Sequence, residues 1–140
     1  MRDCIVEFDL NVLKQFTLNK YIQAERKNRY IGSKMKKQAT NYCQLVVQQA
    51  MVDGVRFEWP CMLEFRWYVP DKRTDSDNWA FIKKFILDGM QKANVRGEVF
   101  LPNDSLKYVT GFHESFEVDK ERPRVEIREA NNVVRGECSG

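Results

Sequence analysis

The stretch Cys61–Val69, CMLEFRWYV, sets Cys61, Leu63, Phe65, Trp67 and Val69 against Met62, Glu64, Arg66 and Tyr68. Side chains of a strand alternate between its faces, so this spacing predicts a strand with one strongly apolar side, stopped by Pro70. A longer period governs the preceding segment. Met35, Ala39, Tyr42, Cys43, Val46, Val47 and Ala50 recur at steps of three and four, which predicts an amphipathic helix over residues 34–51. Gly32-Ser33 reads as the break that starts it, and residues 11–33 before it are mixed in pattern. A second helix is predicted over 77–92, with Trp79, Ile82, Phe85, Ile86 and Met90 on one side. Residues 4–10, 106–118 and 123–129 read as further strands, the last two joined by a turn near residues 119–122, while residues 93–105 read as a loop. The order β-α-β-α-β-β predicts an α+β fold: a small mixed sheet of about four strands with two main helices.

Composition bounds this picture. The 140 residues suit one domain, placed at 1–130, with residues 131–140 as a flexible C-terminal tail. The net charge of +3 is mild, but its placement is uneven: residues 20–37 carry seven Lys or Arg against one Glu. Such a surface suits either a polyanionic partner or a solvated helix face. Four scattered cysteines and a single histidine, His113, argue against a zinc site of the Cys/His type. The cysteines read as reduced, mostly core residues of a cytoplasmic protein. The N-terminal residues do not read as a signal peptide, and no apolar run approaches the length of a membrane span. Neither a phosphate-binding glycine loop nor a dinucleotide fingerprint is present, so no nucleotide cofactor is expected. Any Ser-His-Asp or Cys-His mechanism would have to pass through His113, and no nucleophile motif lies near it.

The chemistry concentrates in VPDKRTDSDN, residues 69–78. In an extended segment, residues two apart point to the same side about 7 Å apart, so Asp75 and Asp77 can aim at one point. A hard cation such as Mg²⁺ takes a few carboxylates, several waters and a substrate phosphate. Asp104, in the turn before a predicted strand, is the natural third carboxylate. The plainer reading is that Asp75 or Asp77 caps the second helix. A calcium loop fails, because the frame starting at Asp71 has Ser76 and Ile82 where Gly and Glu are needed. On a continuous helix Lys84 falls seven residues after Asp77, on the same face, whereas Lys83 falls nearer the apolar edge. Lys84 is therefore the candidate cation, with pairing to Asp88 as the plainer alternative.

Pro70-Asp71, Lys72-Arg73, Asp75-Ser76-Asp77-Asn78, Leu87-Asp88-Gly89-Met90, Lys92-Ala93-Asn94-Val95 and Asp104 together resemble the core motifs of the RusA family of Holliday junction resolvases, over residues 70–112. The resemblance implies a homodimeric, RusA-like α+β endonuclease that cuts four-way branched DNA in recombination and repair. It implies Mg²⁺ as cofactor, with Mn²⁺ able to substitute, held by Asp75, Asp77 and Asp104. The family lysine falls at Phe81 when counted forward from Asp77, and at Lys84 when counted back from Asp88. Arg26, Lys27, Arg29, Lys34, Lys36, Lys37, Lys72 and Arg73 would contact DNA phosphates. Tyr21 and Tyr30 either pack or stack on an unpaired base. A nuclease acting on other branched DNA, and a non-catalytic binder of branched DNA, remain as alternatives.

Overall fold

The computed structural model describes residues 4–130; the expected tail at 131–140 lies outside them. β1 (Val6–Asp9) leads into α1 (Leu10–Leu13), a 3-10 turn (Lys14–Phe16), α2 (Leu18–Lys27) and α3 (Arg29–Val52). β2 (Cys61–Val69), α4 (Ser76–Ala80) and α5 (Lys83–Lys92) follow, then the short pair β3 (Asn94–Val95) and β4 (Glu98–Val99), then β5 (Val109–Val118) and β6 (Arg124–Glu129). The α+β class and the four-stranded mixed sheet are as expected, with strand order β1-β6-β2-β5.

β2 has the bounds its alternation predicts, and Cys61, Leu63, Phe65, Trp67 and Val69 are all buried. It pairs antiparallel with β6 and parallel with β5. Parallel neighbours need a crossover connection, and α4, α5 and the β3–β4 pair supply it. Val6 and Phe8 of β1 and Val125 and Ile127 of β6 extend the apolar side of the sheet, and one core joins it to α3 and α5. The opposite side is charged. Arg124 bridges Asp119 and Glu126, Arg128 bridges Glu126, and Arg66 bridges Glu64. These pairs set the charges of that side against one another, although each adds only about 0–1 kcal/mol.

The helices depart from expectation in three places. The break lies at Asn28, not at Gly32-Ser33. Asn28 is extended and its side chain accepts from Tyr30 N at 2.7 Å, which caps α3. Gly32 sits inside α3, where an added Cβ would meet the Glu25 carboxylate at 2.8 Å. It therefore marks a close approach of α2 to α3 and no helix end. The mixed residues before it contain α2, whose apolar face is narrow and has only Ala24 fully buried. Finally, the helix expected over 77–92 is two, broken at Phe81-Ile82. Three-residue hydrogen bonds, Ile82 N to Trp79 O and Lys84 N to Phe81 O, tighten the junction.

Two strand expectations also shift. β5 begins at Val109, because residues 105–108 form a turn in which Val109 N donates to Ser105 O. The 93–105 loop contains the β3–β4 hairpin. Cys43 and Cys61 are free and buried as expected, but Cys4 is disulfide-bonded, a pairing that sequence spacing does not determine. No helix among the described residues is long and apolar enough to cross a membrane.

α5 seats on α3 at Gly89. A Cβ there would lie 2.6 Å from Cys43 Cβ and 2.8 Å from the α3 backbone. Backbone cannot move aside as a side-chain tip can, so Gly89→Ala should destabilise the fold by roughly 1–3 kcal/mol, measured by urea unfolding. A second prediction concerns the β5–β6 connection. Asp119 accepts from Arg122 N and Arg124 Nη1, and these donors hold its carboxyl below its ordinary value of 3.8. A lowered folded-state value contributes stability above 3.8 that is lost as pH falls through the folded value. Asp119→Asn should therefore flatten the loss of stability below about pH 4, read from thermal melts across pH.

Candidate functional site

Pro70 ends β2, and the chain turns at once. Asp71 accepts from Arg73 N at 2.8 Å and lies 3.9 Å from the Arg73 guanidinium. This local turn delivers Thr74 and Asp75 to the mouth of a groove of about 680 Å³. Val69, Trp79, Phe116 and Val118 supply its apolar wall, and Asp71, Lys72, Thr74, Asp75, Ser76 and Glu117 its polar rim. That volume falls within the range of about 300–1,000 Å³ usual for ligand sites.

Asp75 occupies the N-cap position of α4, with extended backbone, yet its side chain caps nothing. Its carboxylate has no hydrogen-bond or ion-pair partner among the described residues. The same holds for Asp77, which is exposed in the first turn of α4, and for Asp104, exposed in the turn before β5. The extended geometry that would align Asp75 with Asp77 stops at Asp75, because Ser76 and Asp77 are already helical. Strand alternation therefore does not relate the two carboxylates. Both remain open hard-oxygen donors on one short segment.

Asp104 lies elsewhere. β5 starts opposite Cys61 and ends opposite Val69. Asp104 precedes the start of β5, whereas Asp75 follows the end of β2. The two thus stand at opposite ends of the parallel pair, separated by eight residue steps of β2, roughly 26 Å at about 3.3 Å per step. Consistently, no group of three His, Cys, Asp or Glu side chains among the described residues is placed to hold a metal ion.

The two lysines divide. Lys83 Nζ donates to Glu114 Oε1 at 2.8 Å and lies 4.3 Å from the Phe112 ring centre. Glu114 also accepts from Trp67 Nε1 at 2.9 Å, so Lys83 is committed to fixing β5 against the core. Lys84 is exposed and has no ion-pair partner among the described residues, Asp88 included. The tightened turn at Phe81-Ile82 advances residues by about 120° rather than 100°, which rotates Lys84 away from the alignment that a continuous helix would give it. Phe81, at the other position considered for the cation, packs on Tyr21 and Phe85.

Six of the basic residues lie on two consecutive helices. Arg26 and Lys27 end α2; Arg29, Lys34, Lys36 and Lys37 occupy the first part of α3. All six are exposed and none has an acidic partner among the described residues. Lys72 and Arg73 are exposed in the loop beside the groove. Asn78 links the two regions: its Oδ1 accepts from Asn19 N at 3.0 Å, tying α4 to the start of α2. Tyr21 packs into the aromatic cluster, while Tyr30 is 71% exposed. His113 is exposed on β5, 3.9 Å from Glu64.

Sequence reasoning missed the groove. Trp79 looked like a core residue and is 3% exposed, but its Nε1 is buried without a partner in the groove wall. Phe116 stacks on Trp67 with 7° between the rings and stays 39% exposed. The available signal was the run of Phe112, Phe116 and Val118 on one side of β5, an apolar edge with no obvious cover.

The division of the lysines is testable. Lys83→Met should cost about 1 kcal/mol in urea unfolding, a modest figure because the pair is partly exposed. Lys84→Met should leave stability within about 0.5 kcal/mol. Comparison of the chain with protein-family models, with curated proteins and with solved structures finds no match.

Proposed function

We propose that the protein is a Mg²⁺-dependent endonuclease acting on branched DNA, with four-way junctions as the substrate and a homodimer as the working unit. The observation that carries this reading is Asp75: it stands at a helix N-cap without capping, and its unpartnered carboxylate rims the groove. A carboxylate kept only for the helix would bond the N–H groups of the first turn. The resemblance of residues 70–112 to the RusA family supplies the substrate class, and Asp75, Asp77 and Asp104 are the ligands it implies.

Asp75 and Asp77 fit a hard divalent cation. Both are exposed oxygen donors, and Mg²⁺ is satisfied by one or two carboxylates together with water and phosphate. When bound, the ion supplies polarisation of the phosphoryl oxygen and a more acidic water. The chain's own residues do the rest. The unpaired cations of α2 and α3, with Lys72 and Arg73, would hold phosphates of the arms and set orientation without reading sequence. Lys84, exposed and without an ion-pair partner among the described residues, is the cation this reading offers to offset charge that builds on the phosphate, although the break between α4 and α5 turns it from the alignment of a continuous helix. Two copies related by a two-fold axis would present two such sites to the two symmetric strands of a junction.

A second reading, a branched-DNA-binding protein without catalysis, is favoured by one observation: Asp104 lies at the far end of β2–β5 from Asp75. One experiment separates the two. A synthetic four-way junction is incubated with the protein, with and without Mg²⁺, beside a linear duplex. Paired symmetric nicks on the junction alone, abolished by Asp75→Asn and by Asp77→Asn with binding retained or tightened, are the expected result. Junction binding with no cutting under any condition would establish the second reading.

A further inference from the structure

We infer that the groove beside Asp75 is a seat for one unpaired nucleobase of the bound DNA, stacked on Phe116 and hydrogen-bonded to Trp79 Nε1. The inference rests on the branched-DNA reading. It adds what the site would hold besides the phosphate to be cut.

Two features of the groove wall point to such a ligand. Trp79 is 3% exposed, and its Nε1 is buried without a hydrogen-bond partner among the described residues. A buried N–H left unpaired is costly, and a phenylalanine would supply an aromatic ring without that cost. The indole therefore suits an acceptor that arrives from outside, and Trp79 lines the groove. The second feature is an aromatic stack that ends in the open. Phe65 lies on Trp67 at 20° and Trp67 on Phe116 at 7°. Phe116 also lines the groove and stays 39% exposed. A ring packed on a second ring, with part of its surface open, is a platform for another flat aromatic group.

Chemistry selects the occupant. An aliphatic side chain would fill the apolar wall and leave the Trp79 N–H unpaired. A phosphate would pair with that N–H and gain nothing from Val69, Phe116 and Val118. A nucleobase answers both, because it is a flat ring with acceptors on its edge. The volume of about 680 Å³ admits a ligand of nucleotide size. The loop supplies cations for the backbone of the same nucleotide. Lys72 is exposed without an acidic partner among the described residues, and Arg73 is exposed next to it. Both can hold phosphates without reading sequence. Asp75 on the rim sets the seated base next to the phosphate under attack. A base already unpaired costs least to draw out of its stack, so this seat favours a branch point over a continuous duplex.

Four-way junctions with a single abasic residue at successive positions around the crossover test the seat. Binding is followed by fluorescence anisotropy in EDTA, so that no strand is cut. Removing the base at one position on each of two symmetric strands should lower affinity at least about fivefold, and removal elsewhere less than about twofold. Trp79→Phe keeps an aromatic ring and removes the N–H. It should melt at the wild-type temperature or above, bind the intact junction at least about threefold more weakly, and show an abasic penalty smaller by the same factor. Phe116→Leu, at a partly exposed position, keeps apolar volume and removes the stacking ring, and should shrink the penalty likewise. A flat abasic profile for wild type would overturn the inference. So would an abasic penalty that neither variant changes. A Trp79→Phe variant that melts lower and binds at full strength would make Trp79 a packing residue, with the same result. A wild type that binds no branched DNA would instead sink the branched-DNA reading itself, before any scan.

Discussion

β2 and β5 run parallel, Cys61 opposite Val109 and Val69 opposite Val118, and most of the architecture follows from that pairing. Two parallel neighbours cannot be joined by a tight turn, so the chain must return along the sheet before it can start again. α4 and α5 are that return path. Their apolar side, Trp79, Ile82, Phe85, Ile86 and Met90, is buried, as a crossover packed on a sheet requires. The same constraint decides where chemistry can occur. Whatever follows β2 emerges at one end of the pair, and whatever precedes β5 lies at the other. Asp75 and Asp104 are therefore held apart by the connection that their own sequence order demands.

The parallel pair is held by more than its ladder. Phe65, Trp67 and Phe116 stack across β2 and β5, and Glu114 accepts from both Trp67 and Lys83. A partly buried carboxylate with two donors is well satisfied, whereas either donor left alone at this depth would be costly. Lys83 thus anchors β5 to α5, and its ammonium lies 4.3 Å from the centre of the Phe112 ring. This is why adjacent lysines with similar surroundings in the sequence have different prospects. Lys83 is used by the fold, and Lys84 is left to solvent or to a ligand.

Much of the fold was legible because period and burial coincide. β2 alternates so regularly that its bounds could be read directly, and the apolar spacing of 34–51 lies wholly inside α3. What escaped depended on contacts that no local pattern records. The start of α3 is set by Asn28, whose side chain caps it, and not by Gly32, which is small because Glu25 passes over it. The β3–β4 hairpin turns on Arg96-Gly97, both at positive φ, a conformation for which Asn-Gly is the familiar signal and Arg-Gly is not. The break between α4 and α5 carries no Gly or Pro to announce it. At the site, the unusual residue types of the acidic loop were visible at once, but their relation in space was not. A D-x-D read as extended placed two carboxylates on one side; the structure begins a helix between them.

That helix start sharpens the case for Asp75 as a ligand. An aspartate at an N-cap ordinarily accepts from the second or third N–H of the helix, a bond worth about 1 kcal/mol. At Asp75 the backbone adopts the N-cap conformation and the side chain does not complete it. Asp71, four residues earlier, shows the contrast, since its carboxylate is engaged with the Arg73 backbone. Asn78 likewise has its side chain occupied, in holding α2. The segment thus sorts its polar residues into those that build the loop and those left open. Asp75 and Asp77 fall in the second group, and Asp75 lines a groove whose apolar wall is partly made by β5. The strand that finishes that wall, β5, pairs only with β2 among the described residues, so the groove and this edge of the sheet share one strand.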